Sequence, residues 1–542
     1  MPSHRENDRL SSGDALFLYL EREGMPLNVA SVSIFEGEIS LQACRRFIES
    51  KLPMIPRYRQ RVVPPPFNIG VPRWEYDPDF DLRNHVHQLR LQQGTDAELK
   101  AVAGKILSQM MDRRRPLWDF TLIHGLRGNR TGVVTRMHHC LADGLAGVSL
   151  MNALMDPNPE VHLPPRNSVS LHASSRRHAP SLLNELITSS VSVAQRVLTA
   201  QTELFNVIQQ VLAAAGGEAS ASRPTEQPGA HSEVHIPSVD EFTQLMPELT
   251  TATQPLPFNV ICRGPQKFGW AEIPLADIKA VKQACGATVN EVSLTLVTSC
   301  VQRYVELRGV RLRGRLLRIV VPVNVRGNGN ASDLGNRITF VPITIPLDIR
   351  TPRKLLAAIR SRTAFLKSAH IAECVGLFGT MLGTIPTAAQ QLMGPIVSQV
   401  PLGLCNLIFT NVPGPTSPLY LLGHKMLCCY PYVPIGGDLG INCAVLTYNG
   451  TAYFGFTGDI HAVPDLGRLE KFLKSSFVEL QRATGVRPGR KRAPLGVKAT
   501  SPIPEPQPKP ILKPDLPRPP EAAPGPMTTR QAKNELLTRT VA

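Results

Sequence analysis

Several things that a chain of 542 residues could carry are missing from this one. No apolar run approaches the ~20 residues that cross a bilayer as a helix. The apolar stretch Ala15–Leu20 is too short for a secretory signal and follows acidic residues, so a soluble or membrane-surface protein is expected. The ten cysteines form no C-x-x-C pair and no Cys/His spacing suited to a metal. Scattered thiols of this kind fit a reducing cytosol, and the adjacent Cys428 and Cys429 read as buried thiols rather than a bridge. No G-x-S-x-G elbow occurs, which argues against a hydrolase built on a serine nucleophile. Acids are scarce: 43 Asp and Glu stand against 59 Lys and Arg, for a net charge of +16. That balance favours anionic partners such as phosphates or acidic lipid head groups, and no RNA- or DNA-binding motif accompanies it, so nucleic acid is not expected.

What the chain does have is His138-His139-Cys140-Leu141-Ala142-Asp143-Gly144, an H-H-x-x-x-D-G string. An imidazole titrates near neutrality and can take a proton from a hydroxyl and return it to a leaving group. A carboxylate a few residues on can fix a tautomer or the local backbone, and the glycine permits a tight turn. Gly132–Met137 is β-branched and apolar and reads as a strand. Leu145, Val148, Leu150, Met151, Leu154 and Met155 then recur at helical spacing. The histidines therefore belong where a strand ends and a helix begins.

Composition divides the rest. Residues 1–156 form a first folded unit with the histidine string. Residues 157–255 read as a Pro-broken linker holding a long amphipathic helix over Leu182–Leu212, with Gly216-Gly217 behind it. Residues 256–485 form a second unit. There, strand-like runs Leu317–Val323 and Ile338–Ile345 alternate with helical ones at Ala276–Ala284, Glu291–Leu307 and Leu355–Leu366. Tyr448-Asn449-Gly450 signals a hairpin, and Thr288-Val289-Asn290-Glu291 fits a capping box. Strands and helices mixed in both units argue an α/β fold with sheet cores. Beyond residue 486 the chain turns basic and Pro-rich, about a third Pro over residues 487–526, and is expected to be disordered.

The histidine string resembles the active-site motif of the CoA-dependent acyltransferase superfamily. The surrounding blocks are similar to those of the bacterial wax ester synthase/diacylglycerol acyltransferase family. They are Asp14-Ala15-Leu16-Phe17, Met25-Pro26, Pro116-Leu117-Trp118, Pro322–Arg326, Gly335-Asn336, Asn411–Pro415 and the stretch Asn442–Asp459, in the family's order. Asn290-Glu291-Val292 stands where the family usually has Asn-Asp-Val. The resemblance implies two similar lobes, each a mixed sheet flanked by helices, with the active-site tunnel between them. It implies transfer of a long-chain acyl group from acyl-CoA to diacylglycerol, and to long-chain alcohols, with no further cofactor. His139 would be the general base, with His138 beside it, Asp143 orienting the motif and Gly144 serving the turn. Asn290, at a helix N-terminus, would line the site near an oxyanion or a CoA phosphate.

Rival readings share these residues. His138 and Asp143 also satisfy H-x-x-x-x-D, the glycerol-phosphate acyltransferase pattern, with His138 as base. Another acyltransferase of the superfamily with a different acceptor is a second, and a catalytically silent lipid-surface scaffold a third. A cytoplasmic protein held peripherally on a membrane or lipid droplet is expected. Arg113-Arg114-Arg115 and the basic tail are the candidate contacts with anionic lipid.

Overall fold

Two six-stranded sheets organise the chain in the computed structural model, which describes residues 9–65, 71–141, 144–160, 253–324, 338–368, 387–401 and 403–487. In chain order the first half gives α1 (Ser12–Leu20), β1 (Asn28–Glu36), α2 (Leu41–Lys51), β2 (Gln60–Val63), β3 (Arg73–Tyr76), β4 (Val86–Arg90), α3 (Asp96–Leu107), β5 (Trp118–Leu126), β6 (Arg130–His138) and α4 (Gly144–Leu154). The second half continues with β7 (Gln266–Pro274), α5 (Leu275–Cys285), α6 (Val289–Leu307), β8 (Leu316–Asn324), β9 (Ile338–Pro346), α7 (Pro352–Ser368) and α8 (Thr387–Val397). It closes with β10 (Leu407–Pro413), β11 (Tyr420–Leu421), β12 (His424–Tyr432), β13 (Ile441–Tyr448), β14 (Thr451–Asp459) and α9 (Gly467–Thr484). The expected linker helix at Leu182–Leu212 and the Pro-rich tail lie outside the described residues.

The first sheet runs β11-β12-β1-β6-β5-β4 and the second β7-β14-β13-β10-β8-β9. Both are mixed, with parallel pairing at β4–β5 in the first and at β10–β13 and β8–β10 in the second. Each sheet has its own apolar core, the first around Phe35, Phe47, Tyr58 and Trp118, the second around Tyr304, Phe409, Phe454 and Phe456. Among the described residues no single helix is long and apolar enough to cross a membrane. The apolar length of α6 is instead buried within the second core, from Val292 to Val305.

Residue 256 divides the sequence but does not divide the sheets. β12, from the second half, crosses into the first sheet and pairs antiparallel with β1, from Ala30 opposite Tyr432 to Phe35 opposite Met426. On the way it passes so close to β14 that a Cβ on Gly455 would lie 1.8 Å from the Pro431 carbonyl oxygen. Only glycine tolerates that approach, which accounts for the Phe454-Gly455-Phe456 block. The hairpin signal is met directly. Tyr448 pairs with Thr451, and Asn449 and Gly450 both take positive φ, as a two-residue type I′ turn requires.

Candidate functional site

β6 ends at His138, in register with Asn28 of β1. Two carbonyls then take the next two amides: His138 N–H donates to Leu117 at 3.0 Å and His139 N–H to Leu27 at 2.9 Å. Leu117 belongs to the Pro116-Leu117-Trp118 block. The Trp118 ring stacks on Tyr58 at 4.3 Å, and its indole N–H donates to the Tyr58 carbonyl at 2.8 Å. That block is a buried footing for the histidines rather than a wall of the cavity.

The two histidines face different surroundings. His138 is fully buried, and its Nδ1 accepts the Cys140 N–H at 3.1 Å. An Nδ1 that accepts leaves the ring proton on Nε2, and Nε2 lies 3.5 Å from a carboxylate oxygen of Glu21. Glu21 follows α1, and its side chain is 1% exposed. It accepts the Leu27 N–H at 3.1 Å and forms an ion pair with Arg113 at 2.8 Å. Burial opposes its charge, but His138 and Arg113 outweigh burial and hold its carboxyl down at about 2.

His139 is half-buried and lines a cavity of about 760 Å³ between the two sheets, within the range of small-molecule sites. Its ring stacks on Phe17 of α1, with centroids 4.0 Å apart and planes 11° from parallel. The walls are mostly apolar, with Leu27, Met137 and Met151 on the histidine side and Val321, Phe340 and Val412 opposite. Asp143 lies outside the described residues, and Gly144 is the first residue of α4.

Asn290 also lines the cavity, at the second position of α6, and its side-chain oxygen accepts the Asn411 amide at 3.3 Å. Its neighbour Glu291 closes the expected capping box with Thr288 and turns away from the cavity to accept the Thr363 hydroxyl at 2.7 Å. Burial works against its charge, but bonds from Thr363 and Thr288 prevail and lower its pKa. The extra methylene relative to the family's acid is therefore used within the helix pair α6–α7. Asp459, the last residue of the Asn442–Asp459 block, is also structural: its carboxylate accepts four backbone amides, from Arg263, Gly264, His461 and Ala462.

Each arginine of the cluster has an acid beside it and keeps an exposed side chain. Arg113 pairs with Glu21, while Arg114 and Arg115 lie 3.0 and 3.7 Å from Asp112. Among the described residues no group of three or more His, Cys, Asp or Glu is set to hold a metal, and the nine cysteines are free thiols. Residue spacing carries no signal for Glu21, which meets His138 only through the fold. Phe17 lay within a family-like block with no role attached.

Residues 10–293 match the model of the wax ester synthase/diacylglycerol acyltransferase catalytic domain, and residues 334–481 match that of the family's C-terminal domain. A probable diacylglycerol O-acyltransferase of Mycobacterium tuberculosis is 27% identical over 477 residues, covering 87% of this chain and 96% of its own. A second from the same organism is 26% identical, covering 88% and 100%. Among solved structures, a wax ester synthase/diacylglycerol acyltransferase from Marinobacter aquaeolei superposes with a TM-score of 0.58 at 21% identity, covering 88% of this chain and all of its own. The first condensation domain of the CDA synthetase gives 0.53 at 12% identity, covering 88% and 97%, which is a likeness of fold.

Proposed function

The chain belongs to the wax ester synthase/diacylglycerol acyltransferase family and is an acyltransferase, and from that premise we propose that it moves a long-chain acyl group from acyl-CoA to diacylglycerol, and secondarily to long-chain alcohols. One observation carries the assignment of the base. His139 faces an apolar cavity with its ring braced by Phe17, while His138 is sealed behind it against Glu21. A base must reach the proton it removes, so the geometry favours His139 over the glycerol-phosphate-type alternative.

In this mechanism His139 takes the proton of the acceptor hydroxyl as its oxygen attacks the thioester carbonyl. The tetrahedral oxyanion then collapses, the C–S bond breaks, and the imidazolium gives its proton to the departing thiolate. Asn290, oriented by Asn411, is the candidate donor to the oxyanion from the opposite wall. Transfer is direct, with acyl-CoA as co-substrate and no further cofactor. The two thiols on the cavity wall, Cys405 and Cys429, fit this scheme as bystanders, since burial pushes both pKa values up and keeps both protonated.

The acceptor is insoluble in water, and the apolar face of α8 suits its delivery. Leu392 and Ile396 are 78% and 63% exposed, and beyond them Val400 and Leu404 are exposed while also lining the cavity. A patch continuous with the cavity mouth and free of charge from Thr387 to Val400 is a candidate contact with a membrane or droplet surface. Free thiols fit a cytoplasmic location for that contact. The test of the activity is direct: purified protein is incubated with labelled palmitoyl-CoA and dioleoylglycerol, hexadecanol or glycerol 3-phosphate, and the lipids are separated. Label should enter triacylglycerol first and wax ester second. Label only in an acidic lipid, or none transferred, would reject the proposal.

A further inference from the structure

We propose that Glu21 is a positioning residue for the transfer reaction, holding the histidine pair from two directions at once. The inference rests on His139 being the base. Glu21 does not line the cavity; it acts through two other groups. One of its oxygens accepts the Leu27 N–H at 3.1 Å, and the Leu27 carbonyl in turn accepts the His139 N–H at 2.9 Å. The other oxygen faces the His138 Nε2, whose proton is fixed there because Nδ1 is occupied by the Cys140 amide. The residue thus ties down the backbone of one histidine and the ring of the other. It also follows the helix whose Phe17 stacks on the His139 ring, so helix, strand end and motif share one anchor.

The role is geometric. The Arg113 guanidinium at 2.8 Å neutralises the carboxylate, so Glu21 presents little net charge to the reacting atoms. What remains is reach: a carboxylate at this distance from its backbone meets both Leu27 and His138. A displacement of about 1 Å at a reacting group can cost on the order of 10²-fold in rate. Loss of the anchor should therefore appear in kcat and not in donor binding.

The experiment compares Glu21→Gln, Glu21→Asp, His138→Ala, His139→Ala and the double variant Glu21→Gln/His138→Ala in the full chain. Readouts are kcat and KM for palmitoyl-CoA with dioleoylglycerol, with circular dichroism to monitor folding. Glu21→Gln should lower kcat by roughly 10–100-fold with the donor KM within about twofold, since the cavity wall is untouched. Glu21→Asp keeps the charge and loses the reach, so it should also lose kcat; it carries the test if the Gln variant does not fold. Residues that act as a unit are non-additive, so the double variant should be no slower than about twofold below the slower single one. Wild-type kcat in a folded Glu21 variant, or losses that multiply in the double variant, would overturn the proposal. An active His139→Ala protein would overturn the base assignment beneath it; an inactive one beside a fully active Glu21→Gln would overturn Glu21 alone.

Discussion

The end of α1 and the start of α6 meet the cavity from opposite lobes, and each carries a glutamate with a lowered pKa beside a residue that lines the site. Glu21 turns inward, toward the buried histidine of the motif and Arg113. Glu291 turns outward, closing its own helix cap and holding Thr363 of α7, while Asn290 alone faces the cavity. One acid is tied to the histidine wall and the other to the scaffold behind the amide wall. Residue type and proximity to the motif do not separate these roles; the contacts made across the fold do.

The contrast can be broken most severely on the histidine wall. His139→Ala should lower transfer by roughly 10²–10⁴-fold while the fold survives, measured as triacylglycerol formed by protein with native circular dichroism. His138→Ala, acting through geometry, should leave more residual rate. On the amide wall, Asn290→Ala removes one candidate oxyanion donor and should cost up to ~10²–10³ in kcat. Asn411→Ala, which frees the Asn290 side chain and removes a second amide from the cavity wall, should cost less. Equal losses in the two asparagine variants would mean that Asn411 itself touches substrate.

A kinetic prediction sharpens the comparison, because neither wall offers an activated nucleophile. Acyl-CoA alone should give no covalent acyl-protein in intact mass spectra. An acyl adduct that vanishes on addition of diacylglycerol would refute direct transfer.

The two glutamates also differ in what acid should do. A carboxyl held at about 2 in the folded chain, against about 4.5 when unfolded, contributes stability above pH ~4.5 that fades as the pH falls toward 2. Glu21→Gln should remove part of that pH dependence, read as a flatter acid limb in urea-unfolding midpoints between pH 5 and pH 3; an unchanged limb would mean that Glu21 is not the group responsible. The smallest effect belongs to Glu291→Ala. Loss of its half of the capping box should lower stability by about 1 kcal/mol in urea titrations with kcat unchanged. A large loss of kcat there would return Glu291 to the site.

Much of this was legible in the chain. The strand before His138 and the helix after Gly144 follow from β-branched and then helical spacing. The capping box at Thr288–Glu291 and the turn at Asn449-Gly450 follow from local chemistry that needs only neighbouring residues. The overlap of two motif patterns left His138 and His139 both open as base, since one residue's shift along a strand end reverses which side chain meets the cavity. Burial separates the two, leaving His139 on the cavity and His138 sealed behind it, and burial is set by strands and helices far apart in the sequence.

The sequence by itself determined the strand and helix around the histidine string, the capping box, the hairpin and the family, because period, caps and turn residues act over a few positions. Tertiary structure alone decided that β12 returns to the first sheet, that Arg113 pairs with Glu21, and that Glu21 meets His138. Those are long-range pairings whose energies come from desolvated charge and shared backbone bonds. No local pattern encodes them, because each joins positions far apart in the chain and depends on what the fold buries around them.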